Sequence, residues 1–178
     1  GALPQEECLV RAMSALIPTL TILADAGAYP LSNGKILSVP FVEVTRRSDH
    51  SVLAAKRTVH TIFTAAPDMR VSGDSTNSGF VVGSEDYIKY ISGQIEMQIK
   101  AAIALKTDVF VAGAWGTGVF QNPHAVVAQT YKDTLSRYNG HFKKVIFPIP
   151  EGVEDKKLNF SKVEVDNPAR AFRGLNTN

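Results

Sequence analysis

A hydrophobic strand that runs into a glycine-rich turn and out into a helix constrains this chain more than any other feature. Asp108–Ala112 reads Asp-Val-Phe-Val-Ala, and Gly113 to Pro123 follows as Gly-Ala-Trp-Gly-Thr-Gly-Val-Phe-Gln-Asn-Pro. Strand, turn and helix in that order are the building unit of α/β domains. Asn122 offers a helix N-cap and Pro123 a first helical position, where a missing N–H costs nothing. Amides at such a helix start, beside glycines that let a backbone come close, make an anion cradle suited to a phosphate. The same glycines can equally serve only a tight connection. The spacing is not G-x-G-x-x-G, and no Gly-Lys-Ser/Thr follows to make a Walker A loop, so the common nucleotide motifs are disfavoured. Phe120, just past the glycines, can stack on a ribose or base or belong to the core.

At 178 residues, 44% hydrophobic and 20% charged, the chain is long enough for one soluble domain with a substantial core. A formal charge of +2 gives no basic face that argues for nucleic acid, yet does not repel an anionic ligand. The single cysteine, Cys8, permits no intrachain disulfide, and the four histidines have no zinc-site spacing. A reducing, cytoplasmic setting without a metal is expected. Cys8 itself reads as a buried structural cysteine rather than a nucleophile. No apolar run approaches the ~20 residues that cross a bilayer, so no membrane binding is expected. The chain begins at Gly1 without an initiator Met, which suggests that preceding sequence is absent.

Leu9, Val10, Met13, Leu16 and Ile17 recur at helical spacing and predict one helix over 4–20, with Glu6 and Glu7 in its opening turn. Gly27, Pro30, Asn33 and Gly34 mark 24–35 as a loop. A strand follows over 36–45, then a polar turn at Arg46-Arg47-Ser48-Asp49. Thr58–Ala66 is rich in β-branched and aromatic residues and predicts a central strand, with His60 as a satisfied structural histidine. The polar stretch 68–83 is either a mobile excursion or a substrate-facing loop. Ser84 caps a long helix whose apolar stripe is Ile88, Ile91, Ile95, Ile99 and Ala102, packed on a sheet. The glycine turn, a helix over 123–138 and a last strand over 144–149 complete an α/β domain over 1–150 with mostly parallel strands. Residues 151–178 form a polar extension in which Arg170 and Arg173 read as solvated.

Three stretches in order, Gly1 to Arg11 with Gln5-Glu6-Glu7, Phe63-Thr-Ala-Ala-Pro67, and Gly113 to Pro123, resemble the microbial-type poly(ADP-ribose) glycohydrolase family. Val39-Pro-Phe-Val-Glu-Val is similar to the strand that family places between the first two. The resemblance covers about residues 1–150 and implies a three-layer α/β/α macrodomain-like fold with a mixed, mostly parallel sheet. The family's triple glycine and ribose-binding Asn upstream of Gln-Glu-Glu have no counterpart here. A second polypeptide that supplies this part is therefore one expected partner.

By that resemblance Glu7 is the catalytic acid/base and Glu6 its neighbour on the ribose hydroxyls, with Gln5 fixing the acidic turn. Gly113, Gly116, Thr117, Gly118 and Val119 form the diphosphate-binding loop, and Phe120 packs against the distal ribose. No metal or cofactor is implied. Breaking a ribosyl bond passes through an oxocarbenium-like state that needs a proton on the leaving oxygen. Burial and an adjacent carboxylate raise the pKa of such an acid, while a helix N-terminus opposes them. Neighbouring helical residues point ~100° apart, so Glu6 and Glu7 are not a facing glycosidase pair. Three functions follow: an ADP-ribosyl glycohydrolase acting on poly(ADP-ribose) or ADP-ribosylated protein, a non-catalytic ADP-ribose-binding module, and a structural subunit of a larger, virion-type assembly.

Overall fold

The computed structural model describes residues 5–28, 31, 34–47, 49–73 and 75–148, and only the backbone of residues 5–7 and 75. The expected extension over 151–178, with Arg170 and Arg173, lies outside the described residues, as does the end of the last strand at Ile149. The chain divides into two compact units, Gly1–Ala65 and Ala66–Asn178.

In the first unit the helical pattern is realised as two helices, α1 (Gln5–Ala12) and α2 (Leu16–Asp25), not one. Pro18 accounts for the break. In a continuous helix its ring would collide with the carbonyl of Ser14 and supply no N–H. A restart at Leu16 places Pro18 in a first turn, where no amide is needed. Met13, Leu16 and Leu20 are buried with Val42, and Leu9, Val10, Leu37, Val39, Val44 and Phe63 pack around them. Cys8 is exposed, contrary to expectation, the core-facing side of α1 being taken by Leu9 and Val10.

Strands β1 (Ile36–Arg46) and β2 (Val52–Thr64) form an antiparallel hairpin. Its polar turn is closed by Asp49, whose carboxylate accepts from the Ser51 N–H at 2.9 Å and hydroxyl at 2.6 Å. These hydrogen bonds hold the Asp49 carboxyl below its ordinary pKa. β2 begins well before the expected Thr58. Among the described residues it pairs with β1 alone, and Thr58 and Val59 are exposed, so the ladder does not show it as a central strand. β-propensity reports a fit to a pleated surface, not a position in the sheet. Pro40, which has no N–H to donate, sits at a register shift between Val39 and Val42. Phe41 there has φ 55, and its N–H donates to His60 Nδ1 at 3.3 Å, which makes His60 the structural histidine expected.

The second unit holds a short hairpin, β3 (Val71–Ser72) and β4 (Ser75–Thr76), then α3 (Glu85–Ala104), β5 (Val109–Val111), α4 (His124–Arg137) and β6 (Lys144–Ile146). β6 pairs parallel to β5, as a strand–helix–strand crossover requires. Ser84 caps α3, its hydroxyl accepting from the Tyr87 N–H at 3.3 Å. Ile91, Ile95, Ile99 and Ala102 are buried as predicted, but Ile88 is 37% exposed and Tyr87 is fully inside. The buried face starts one residue earlier than the stripe, at Tyr87, and continues at helical spacing through Ile91 and Ile95. α3 packs against α4, where Tyr131 Oη donates to Gln98 Oε1 and Tyr138 Oη to Glu96 Oε1. The rings of Tyr131 and Phe147, the latter just past β6, meet in a T-shaped pair with centroids 5.2 Å apart. The fold is mixed α/β.

Ile95→Ala is expected to lower stability by about 3 kcal/mol, because a fully buried side chain leaves a cavity, whereas Ile88→Ala costs less than about 1 kcal/mol. Urea denaturation of both variants checks the assignment of the buried face.

Candidate functional site

The turn between β5 and α4 is organised from inside by a residue that the sequence pattern assigns to another task. Asn122 is expected to cap α4, but Pro123 holds the cap position and no side chain caps the helix. Asn122 is 1% exposed. Its Nδ2 donates to the Pro67 carbonyl at 2.9 Å and the Gly116 carbonyl at 2.8 Å, and its Oδ1 accepts from Tyr87 Oη at 3.0 Å. A buried carboxamide needs all its partners, and here it finds them across the unit instead of in the adjacent helix. Burial also pushes the Tyr87 phenol far above its ordinary pKa, so it remains a donor.

The glycines of the turn differ in what they do. Gly116 has φ 72, and a Cβ there would lie 2.5 Å from Ala66 Cβ and 2.7 Å from Asn122 Nδ2. The protein itself demands glycine at this position. Gly113 and Gly118 lack a positive φ, and a Cβ on either would meet nothing within 4 Å. Packing gives no reason for glycine at these two positions, and their bare backbone is open to an incoming group.

The amides divide in the same way. Thr117 is buried, its N–H donates to the Ala114 carbonyl at 3.1 Å, and its hydroxyl donates to the same oxygen at 2.8 Å. Gln121 and Asn122 donate to the Gly118 and Gly116 carbonyls, each at 3.0 Å. Among the described residues no acceptor is found for the N–H groups of Gly116, Gly118, Val119 and Phe120. Val119 is 74% exposed and Phe120 is half-buried.

Residues 66–70 run beside this turn as a strap. The Met69 N–H donates to the Phe120 carbonyl at 2.8 Å, and Arg70 Cζ lies over the Phe120 ring, 5.9 Å from its centroid. Arg70 Nε and Nη2 donate to the two carboxylate oxygens of Asp68 at 2.9 and 2.6 Å, and Asn77 Nδ2 adds a bond of 3.0 Å. Arg70, above all, holds the Asp68 carboxyl well below the usual carboxylate range. The stretch 68–83 is thus neither featureless nor untethered: it carries the β3–β4 hairpin and is tied back to Asp68 through Ser78 and Asn77. The pattern reading passes over Asp68, Arg70 and the strut role of Asn122. The one available signal is the Asp-Met-Arg run directly after the strand-ending Pro67.

Gln5, Glu6 and Glu7 lie in the first turn of α1, as predicted, in the unit Gly1–Ala65, whereas Gly113 to Phe120 belong to the unit Ala66–Asn178. The side chains of these three residues lie outside the described residues. No group of His, Cys, Asp and Glu able to hold a metal is found among the described residues. No described helix is long and apolar enough to cross a membrane. Two surface concavities, one lined by Leu23, Leu31 and Ile36 and one by Phe80, Asp86, Lys89 and Tyr90, contain none of the turn's residues.

No family model and no curated protein matches the sequence. The fold, however, is similar to solved structures. The poly(ADP-ribose) glycohydrolase of Thermomonospora curvata aligns with a TM-score of 0.67 and 26% identity over 97% of this chain and 60% of that one. The same enzyme bound to the inhibitor ADP-HPD aligns at 0.71 and 25% identity, over 97% and 62% of the two chains. The enzyme of Deinococcus radiodurans in complex with ADP-ribose aligns at 0.65 and 23% identity, over 97% and 67%, a likeness of fold alone. The chain is therefore a mixed α/β protein similar to the microbial-type poly(ADP-ribose) glycohydrolases, and the resemblance carried by its three sequence stretches holds in its fold. It spans about 60% of the length of the Thermomonospora structures.

Gly116→Ala is expected to cost about 3 kcal/mol, since it combines a left-handed backbone with overpacking, while Gly118→Ala changes stability by less than about 1 kcal/mol. Thermal melts of the two variants test this division. Asp68 has a depressed pKa in the folded state, so its contribution is present above the unfolded pKa of about 4 and is lost as pH falls below it. The stability gap between wild type and Asp68→Asn, followed by denaturation between pH 7 and 3, should therefore be full at neutral pH and narrow below pH ~4.

Proposed function

We propose that the chain is an ADP-ribosyl glycohydrolase that hydrolyses the O-glycosidic ribose bonds of poly(ADP-ribose) or ADP-ribosylated protein and releases ADP-ribose. The observation that carries this reading is the turn after β5, where the N–H groups of Gly116, Gly118, Val119 and Phe120 have no acceptor among the described residues and two glycines keep the backbone bare. Oriented amides of this kind bind a diphosphate by fixed partial charge. Thr117 contributes the turn's shape through its bonds to Ala114. The likeness in fold to enzymes solved with ADP-ribose and ADP-HPD supports the choice of ligand.

In this reading Phe120 packs on the distal ribose and Glu6 binds its hydroxyls, while Gln5 fixes the acidic turn. Glu7 gives its proton to the leaving oxygen as the C–O bond breaks, then takes one from the water that attacks the oxocarbenium-like carbon. The elements stack as a three-layer α/β/α macrodomain-like arrangement, and the protein works in the cytoplasm.

A second reading, a module that binds ADP-ribose without turnover, is favoured by one observation: the amide-rich turn, Phe120 and Arg70 all lie within the single unit Ala66–Asn178. Release of ADP-ribose from poly(ADP-ribose), followed by chromatography, separates the two. Glu7→Gln is expected to slow release at least ~100-fold, the loss typical of a removed general acid, while ADP-ribose affinity stays within a few-fold of wild type. Equal rates for variant and wild type would remove Glu7 from the reaction. Binding by wild type without any release selects the second reading.

A further inference from the structure

We propose that Arg70 is a positioning residue for the sugar-diphosphate site, acting through Phe120. Its guanidinium, held in one orientation by Asp68, covers one face of the Phe120 ring and leaves the other face to the ligand's sugar. The inference rests on the function proposed above and adds a residue that the sequence resemblance does not assign.

The geometry separates what fixes the main chain at Phe120 from what fixes its ring. The bond from the Met69 N–H to the Phe120 carbonyl, 2.8 Å, holds the main chain but leaves the side-chain torsions free. Arg70 bears on the ring itself, with Cζ 5.9 Å from the centroid. A long arginine side chain would ordinarily sample many rotamers, but this one donates through Nε and Nη2 to both oxygens of Asp68 in a fork that sets the plane of the guanidinium. Asn77 holds the same carboxylate at 3.0 Å and so ties the pair to the β3–β4 hairpin. With two of its nitrogens engaged and its charge offset by Asp68, Arg70 is better suited to orient the ring than to bind a phosphate directly. The face of Phe120 under the guanidinium is occupied, so a sugar that packs on this ring takes the opposite face.

A double-mutant cycle on the full chain tests this, with ADP-ribose as the probe and calorimetry as the readout. Arg70→Ala is expected to weaken binding threefold to tenfold, the range of a partly exposed cation–aromatic contact. In a Phe120→Leu background, which keeps apolar bulk but lacks the ring face, Arg70→Ala should cause no further loss. Arg70→Lys, which keeps the charge without the fork, should fall between wild type and Arg70→Ala and guards against a folding defect in the alanine variant. The inference is overturned if Arg70→Ala and Arg70→Lys bind as wild type does. It is also overturned if the loss is as large in the Phe120→Leu background, since Arg70 would then act on the ligand directly. Failure of the wild-type chain to bind ADP-ribose overturns the proposed function and this inference together, an outcome distinct from either of the others.

Discussion

The carboxamide of Asn122 is the contact on which the shape of the candidate site depends. Its two N–H donors and one carbonyl acceptor are buried, and each has a partner: the carbonyls at the end of the strap and in the turn, and the hydroxyl of Tyr87 at the start of α3. Leaving any of the three unmade would strand a polar group in a low-dielectric interior, at about 1–3 kcal/mol each. One side chain thus ties together a strap, a glycine turn and a helix far apart in sequence. Gly116 follows from the same constraint, because the space its side chain would need is already filled by Ala66 and Asn122.

Once the turn is held from within, its remaining backbone donors are not used by the bonds that hold it. The Thr117 amide closes the turn on Ala114 and the Gln121 and Asn122 amides close it on Gly118 and Gly116, so that the N–H groups of Gly118, Val119 and Phe120 between them find no acceptor among the described residues. Of the glycines that the packing does not require, Gly118 lies in this stretch and Gly113 lies before it, just past the end of β5. A phosphate-binding backbone needs this combination of an interior that fixes it and an exterior with little bulk. Phe120 borders the stretch, with its carbonyl held by Met69 and its ring covered by Arg70. A diphosphate and the sugar beside it would meet a surface ordered before binding, which lowers the entropic cost of association.

The two halves of the proposed chemistry come from different compact units, the glutamates from the one containing α1 and the turn from the one containing α3 and α4. In the first unit α1 is fixed by its apolar side, since Leu9 and Val10 pack on the Met13–Leu16–Leu20 core and Thr45 Oγ1 donates to the Ala12 carbonyl at 3.2 Å. The opening turn that carries Gln5, Glu6 and Glu7 is therefore the first turn of an anchored helix. The likeness to solved glycohydrolases runs across both units, over 97% of the chain.

What could be read from the sequence were features that neighbouring residues decide. Ser84 as a cap, the strand at 36–45, the polar turn after it, the stripe through Ile91, Ile95 and Ile99, and the order of β5, turn, α4 and β6 all follow from periodicity and turn chemistry within a few residues. The break at Pro18 belongs with them, since the proline was visible and its clash with the preceding turn is local, although the helical pattern overrode it. Tertiary structure alone decided the work of Asn122, which as a cap and as a buried strut has the same local surroundings; the choice depends on Tyr87 and Pro67, distant in the chain. It also decided which glycine is obligatory and which strand pairs with which, because steric room and register are set by whatever the fold brings alongside. The pairing of Asp68 with Arg70 needed only a short reach, but its position over Phe120 required the strap and the turn to meet.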